Sequence, residues 1–139
     1  MSEKDHWVIQ YSYYWGKQRN FREIGAIYAV ENKGLMRGVR LESNGDECAG
    51  PGQNNVRYAT IRTYGNDYTP LQYNATRKRL QHDLEYSLHD SYTHIRHGLK
   101  MFKYRWRVWK HYNNINAKSE AYPAKVQAWL EFLDGVFEH

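Results

Sequence analysis

Four histidines lie in the run from His82 to His97, with Glu85 and Asp90 among them, and these are the side chains best placed to do chemistry. His82, Glu85 and His89 share one face if the run is helical. Two imidazoles and a carboxylate are a zinc or iron ligand set. However, His82 and His89 are then two turns apart, about 10 Å, too far for one ion. Asp90, His94 and His97 are better spaced, at i, i+4 and i+7. There Asp90 can accept a hydrogen bond from His94 and orient it as a base. The same spacing also suits plain ion pairing on a polar helix flank. Asp46 and Glu47 are the one tight acidic pair, and Cys48 beside them is the only thiol. A lone loop cysteine is usually inert. No catalytic residue, metal site or cofactor is assigned on these patterns.

A basic run is the stronger feature. "HIRHGLKMFKYRWRVWKH", residues 94–111, holds six Lys or Arg and three His but no acid. At 100° per residue, Ile95, Leu99, Phe102, Trp106 and Trp109 fall on one stripe. Arg96, Lys100, Lys103, Arg107 and Lys110 fall beside it, along about 21 Å of helix. Met101, Tyr104, Val108 and Tyr112 form a second apolar sector. Two apolar sectors call for two packing partners: a sheet, and either the C-terminal helix or a second copy of the chain. The basic stripe is then a phosphate-contact surface or a solvated face whose stems cover apolar neighbours.

The elements that would position these groups follow from periodicity. Trp7, Ile9, Tyr11, Tyr13 and Trp15 alternate with other residues, which predicts a strand. "FREIGAIYAV" reads as a second strand with a turn at "ENKG", "LMRGVRLE" as a third, and "VRYATIRT" as a fourth. Residues 43–55, rich in Gly, Pro and Asn, read as a loop. From Thr69 the period changes. Thr69, Pro70 and Gln72 make a helix start. Leu80, Leu84, Leu88, Tyr92 and Ile95 begin a series that continues to Trp109 at helical spacing, with a kink or break expected near Asn74. Val126, Trp129, Leu130, Leu133 and Val136 predict a C-terminal helix. The expected fold class is α+β. An antiparallel meander of about four strands packs on a long amphipathic helix, and the C-terminal helix completes an αα-hairpin. The 139 residues fit a single domain, 1–139, with a β-rich part at 1–68 and a helical part at 69–139.

Net charge is +5, and residues 70–112 alone carry +6. One cysteine excludes an intrachain disulfide, and no apolar run has the length of a membrane span. A cytoplasmic protein is expected. Aromatic residues make up 16%, which argues against disorder. The expected function is a small, non-enzymatic accessory protein that binds DNA or RNA through Arg96, Lys100, Lys103, Arg107 and Lys110. The alternative is a phage-type inhibitor or adaptor binding a host or partner protein through Met101, Tyr104, Val108 and Tyr112, with a homodimer as one form.

Overall fold

The computed structural model describes residues 2–32, 38–113 and 120–137. Among them are seven helices and one small sheet, so the expected four-stranded meander against a long helix is wrong. Three of the four expected strands are helical. The helix α1, Glu3–Lys17, starts on a capping box in which Ser2 accepts from the Asp5 backbone and Asp5 accepts from the Ser2 backbone. It buries Asp5, Val8, Ile9, Ser12, Tyr13, Trp15 and Gly16, mostly at helical spacing, and leaves Trp7 54% exposed. The aromatic alternation at odd positions therefore does not mark a buried sheet face.

The next helix, α2, Glu23–Asn32, is buried from Glu23 through Ala29. A helix buried all round has no polar face, and so shows no helical period. It crosses α1 closely: a Cβ added at Gly25 would lie 2.8 Å from the Tyr13 Cα. The strands β1, Val39–Leu41, β2, Glu47–Ala49, and β3, Asn54–Asn55, form an antiparallel sheet in that order. Val39 faces Ala49 and Cys48 faces Asn55. Most of the expected loop at 43–55 is thus this sheet and its turns. The second half of the expected "ENKG" turn, residues 33–34, and the first residues of the return strand, 35–37, lie outside the described residues.

Asn55 caps α3, Val56–Tyr64, in place of the fourth strand. The helix α4, Pro70–His82, begins as expected on the capping box of Thr69 and Gln72. The expected long helix is three helices. It breaks at Asp83, whose backbone closes α4 and whose side chain caps the backbone N–H of Tyr86 in α5, Leu84–Met101. It breaks again at Phe102, which is extended, before α6, Arg105–Asn113. No break occurs near Asn74. The last helix, α7, Ala121–Phe137, agrees with the sequence expectation and packs on α2 and α6.

The main core joins α1, α2, α5, α6 and α7 around Val8, Tyr13, Phe21, Ile27, Leu88 and Ile95. A smaller one joins Ala49, Val56, Ala59 and Leu80 under α3 and α4. No described helix is long and apolar enough to cross a membrane.

Candidate functional site

The break at Phe102 turns the basic run into a helical hairpin. Glycine at position 98 makes the return possible, because a Cβ there would meet His111 Cδ2 at 3.1 Å and Val108 Cγ1 at 3.3 Å. Around the bend, Lys100, Met101, Lys103, Tyr104, Trp106 and Arg107 are exposed. Lys103 lies 5.6 Å from the Tyr104 ring centroid and the Arg107 guanidinium 5.3 Å from that of Phe102. Arg105 turns inward instead. It bonds the buried Glu23 carboxylate at 2.7 Å and the Asn20 carbonyl at 2.9 Å, which pins the hairpin to the main core. Lys110 is paired with Glu120 at 2.7 Å, and the Trp106 indole donates to the same carboxylate. Arg96 stays on α5, exposed, 5.4 Å from the Tyr92 ring centroid.

Beside the hairpin lies a polar cleft of about 650 Å³. One wall is α5, with Asp90, Ser91 and His94; a second is α6, with His111 and Tyr112; Arg40, Glu42 and Cys48 line the sheet side. Apart from the acid Glu31, its charges are closed on themselves. Arg62 grips Asp90 through two bonds of 2.7 and 3.0 Å, and Arg40 pairs with Glu42 at 3.1 Å. Asn54 donates to Asp90 at 2.8 Å and to Ser91 at 2.9 Å. Tyr112 donates to the Gly52 carbonyl at 2.7 Å and its hydroxyl lies 3.0 Å from Ser91 Oγ. The Ser91 hydroxyl also meets buried Tyr28 at 2.6 Å. This network fixes the sheet to α5 and α6 and gives the cleft rigid walls.

The imidazoles are the unusual part. His94 stacks on His111 with centroids 4.8 Å apart and planes 13° apart. Burial, reinforced by His111 and Arg62, lowers His94 to about 4, so it is neutral at pH 7. Burial also lowers His111, with His97 nearby adding to the effect. His111 is 7% exposed, and among the described residues neither ring nitrogen has a partner. Across the cleft, burial raises Glu31 to about 7, against the Arg40 charge and the Tyr122 hydroxyl bond that lower it. Burial also raises the Cys48 thiol to about 12, which removes it as a nucleophile at neutral pH.

Of the expected basic contacts, Arg96, Lys100, Lys103 and Arg107 are exposed, while Lys110 is largely covered by its pair with Glu120. They do not form one straight stripe, because α6 folds back. The expected partner-binding sector divides: Met101 and Tyr104 are exposed, Val108 is core, and Tyr112 belongs to the cleft network. Asp90 is engaged by Arg62 and Asn54 rather than orienting His94. His89 pairs with Glu85 at 3.6 Å on α5, while His82 is exposed at the end of α4. Asp46 turns to Arg57 and Glu47 to Tyr73 and Arg77, so the acidic pair diverges. Among the described residues no three His, Cys, Asp or Glu converge as a metal site. Sequence reasoning missed the pairing of His94 with His111, which only the break at Phe102 brings together. It missed Asn54 and Arg62 as well, hidden in a supposed loop and strand. Comparison with family models, with curated proteins and with solved structures returns no match.

Proposed function

We propose that the protein binds nucleic acid through the tip of the α5–α6 hairpin, with Lys100, Lys103 and Arg107 as the central phosphate contacts and Arg96 flanking them. One observation carries this. Arg22, Arg40, Arg57, Arg62, Arg77, Arg79 and Arg105 each meet a carboxylate. Arg96, Lys100, Lys103 and Arg107 form no ion pair among the described residues, and they lie on one run that contains no acid. Unneutralised like charges repel, and a polyanion relieves that repulsion. Exposed Tyr104 and Trp106 beside them provide ring faces on which bases can stack.

The test is binding of labelled DNA and RNA oligonucleotides by fluorescence anisotropy between about 50 and 200 mM salt. Affinity should fall steeply with salt. In a Lys100/Lys103/Arg107→Ala variant the logarithmic salt slope should shrink by about two to three, at roughly 0.7–0.9 per phosphate contact. Absence of binding at low salt, or a variant equal to the wild type, overturns the reading.

A second reading rests on Tyr104, 64% exposed, and Met101, 47% exposed, at the same tip. Tyrosine is a frequent anchor in protein interfaces, so the tip also suits an inhibitor or adaptor docking on a partner protein or on a second copy. In that case Tyr104→Ala abolishes association while the triple basic variant keeps it.

A further inference from the structure

The cleft has a property that the tip lacks: it is polar but has no cation to spare, and Glu31 adds a further acid to its lining. Arg62 and Asp90 neutralise each other, as do Arg40 and Glu42. The tip is suited to phosphate and the cleft is not. Two buried hydrogen-bonding atoms remain unused there, the ring nitrogens of His111. A neutral imidazole carries one donor and one acceptor. The Cδ2 edge of this ring rests on Gly98, and the ring borders the cleft. His94, the half-buried member of the stack, covers one face of the ring, and both rings line the cleft.

We infer that the cleft is a seat for one unpaired nucleobase of the strand whose phosphates the hairpin tip holds. A nucleobase is neutral and flat and carries adjacent donors and acceptors. It can stack on an imidazole, as bases do on histidine in single-strand recognition. Its edge can also meet one of the two His111 nitrogens that the fold leaves without partners. About 650 Å³ lies within the usual size range of small-molecule sites. The two sites are neighbours along α6. Arg107 precedes His111 by one turn of α6, and the Phe102 ring lies 5.3 Å from the Arg107 guanidinium and 5.4 Å from the His111 ring. This inference rests on the nucleic-acid reading of the tip and adds single-strandedness to it.

The experiment uses the whole chain and free nucleosides, which carry no phosphate and so ignore the tip. Adenosine, guanosine, cytidine and uridine are titrated while the imidazole nitrogens of His94 and His111 are followed by NMR. At least one nucleoside should give saturable shifts at both rings. His111→Phe keeps the ring packed on Gly98 but removes both nitrogens. It should abolish the shifts and weaken single-stranded oligonucleotide binding about tenfold, leaving the salt slope unchanged. His94→Gln, at a half-buried position, should also weaken nucleoside binding and guards against a folding defect in the first variant. The Lys100/Lys103/Arg107→Ala variant should keep the nucleoside shifts. If oligonucleotides bind but no nucleoside shifts either ring, the cleft is not a base site and the tip reading survives. If nucleosides bind but no oligonucleotide does, the tip reading fails and the base seat within a strand falls with it.

Discussion

Glu31 and His94 line one cleft with proton affinities moved in opposite directions. Glu31 rises from 4.5 to about 7 on burial, so it adds stability that is fully present below about pH 4.5 and lost as pH climbs through 7. His94 falls from 6.5 to about 4, so it adds stability present above about pH 6.5 and lost as pH drops through 4. Between about pH 4.5 and 6.5 the two trends oppose, each worth roughly 3–4 kcal/mol over its full range at about 1.4 kcal/mol per pH unit. Thermal unfolding across this window should show it. Glu31→Gln should become more stable as pH rises, and His94→Gln should become less stable. Identical pH profiles for both variants would refute the opposition. At lower pH Asp46 and Asp134 add an acid limb, because Arg57 and Arg22 respectively hold them below the usual carboxylate range. None of this residue-scale chemistry is legible in the sequence. The spacing of Asp90, His94 and His97 points to a base and its orienter, but Asp90 is taken by Arg62, a residue 28 positions away.

Where capping signals and the helical period agree, the helices can be read directly. The box of Thr69 and Gln72 starts α4, Leu80, Leu84, Leu88 and Ile95 are all core, and α7 follows its apolar spacing. Where aromatics fill both faces, the period misleads. In α1 the residues of the capping box, Ser2 and Asp5, stand in the sequence, yet the odd-numbered aromatics suggest a sheet. In α2 full burial erases the period altogether. Phe102 ends α5 with no Gly or Pro to announce it, and past that point the continuous-helix sectors no longer hold. Small residues decide how these helices meet. Gly25→Ala forces a Cβ to within 2.8 Å of the Tyr13 Cα and Cβ, so the α1–α2 crossing must open. It should cost about 1–3 kcal/mol in urea unfolding. Gly135 in α7 has open space around its missing Cβ, and Gly135→Ala should instead stabilise by about 0.5–1 kcal/mol through helix propensity. Equal signs for the two changes would contradict the packing described.

At the scale of the whole molecule, the large core and the small one are joined by a few polar clamps: Arg62 to Asp90, Asn54 to Ser91, and Tyr112 to Gly52. The small core holds few large apolar side chains, so the α3–α4 unit is the element least protected against local opening. Amides of α3 and α4 should exchange with solvent faster than those of α2 and α5. Arg62→Ala, which leaves a buried Asp90 without its cation, should widen that gap; uniform exchange across both cores would count against it. The charge imbalance is visible in the sequence at this scale, since the excess sits in residues 70–112. How much of it stays unpaired is not, because Glu23 and Glu120, the carboxylates that take up Arg105 and Lys110, come from other parts of the chain. Asp83 bears on the whole molecule as well. One residue ends α4 and starts α5, so no slack separates them. Each residue inserted there would rotate everything beyond it by about 100° about the helix axis. Leu88 and Ile95 would swing off the core while Thr76 and Leu80 stayed in place. Length variation is therefore barred at this corner, whereas the exposed turn at residues 43–45 can absorb it, and because Ser43 and Asn44 border the cleft a label inserted there sits beside that cleft.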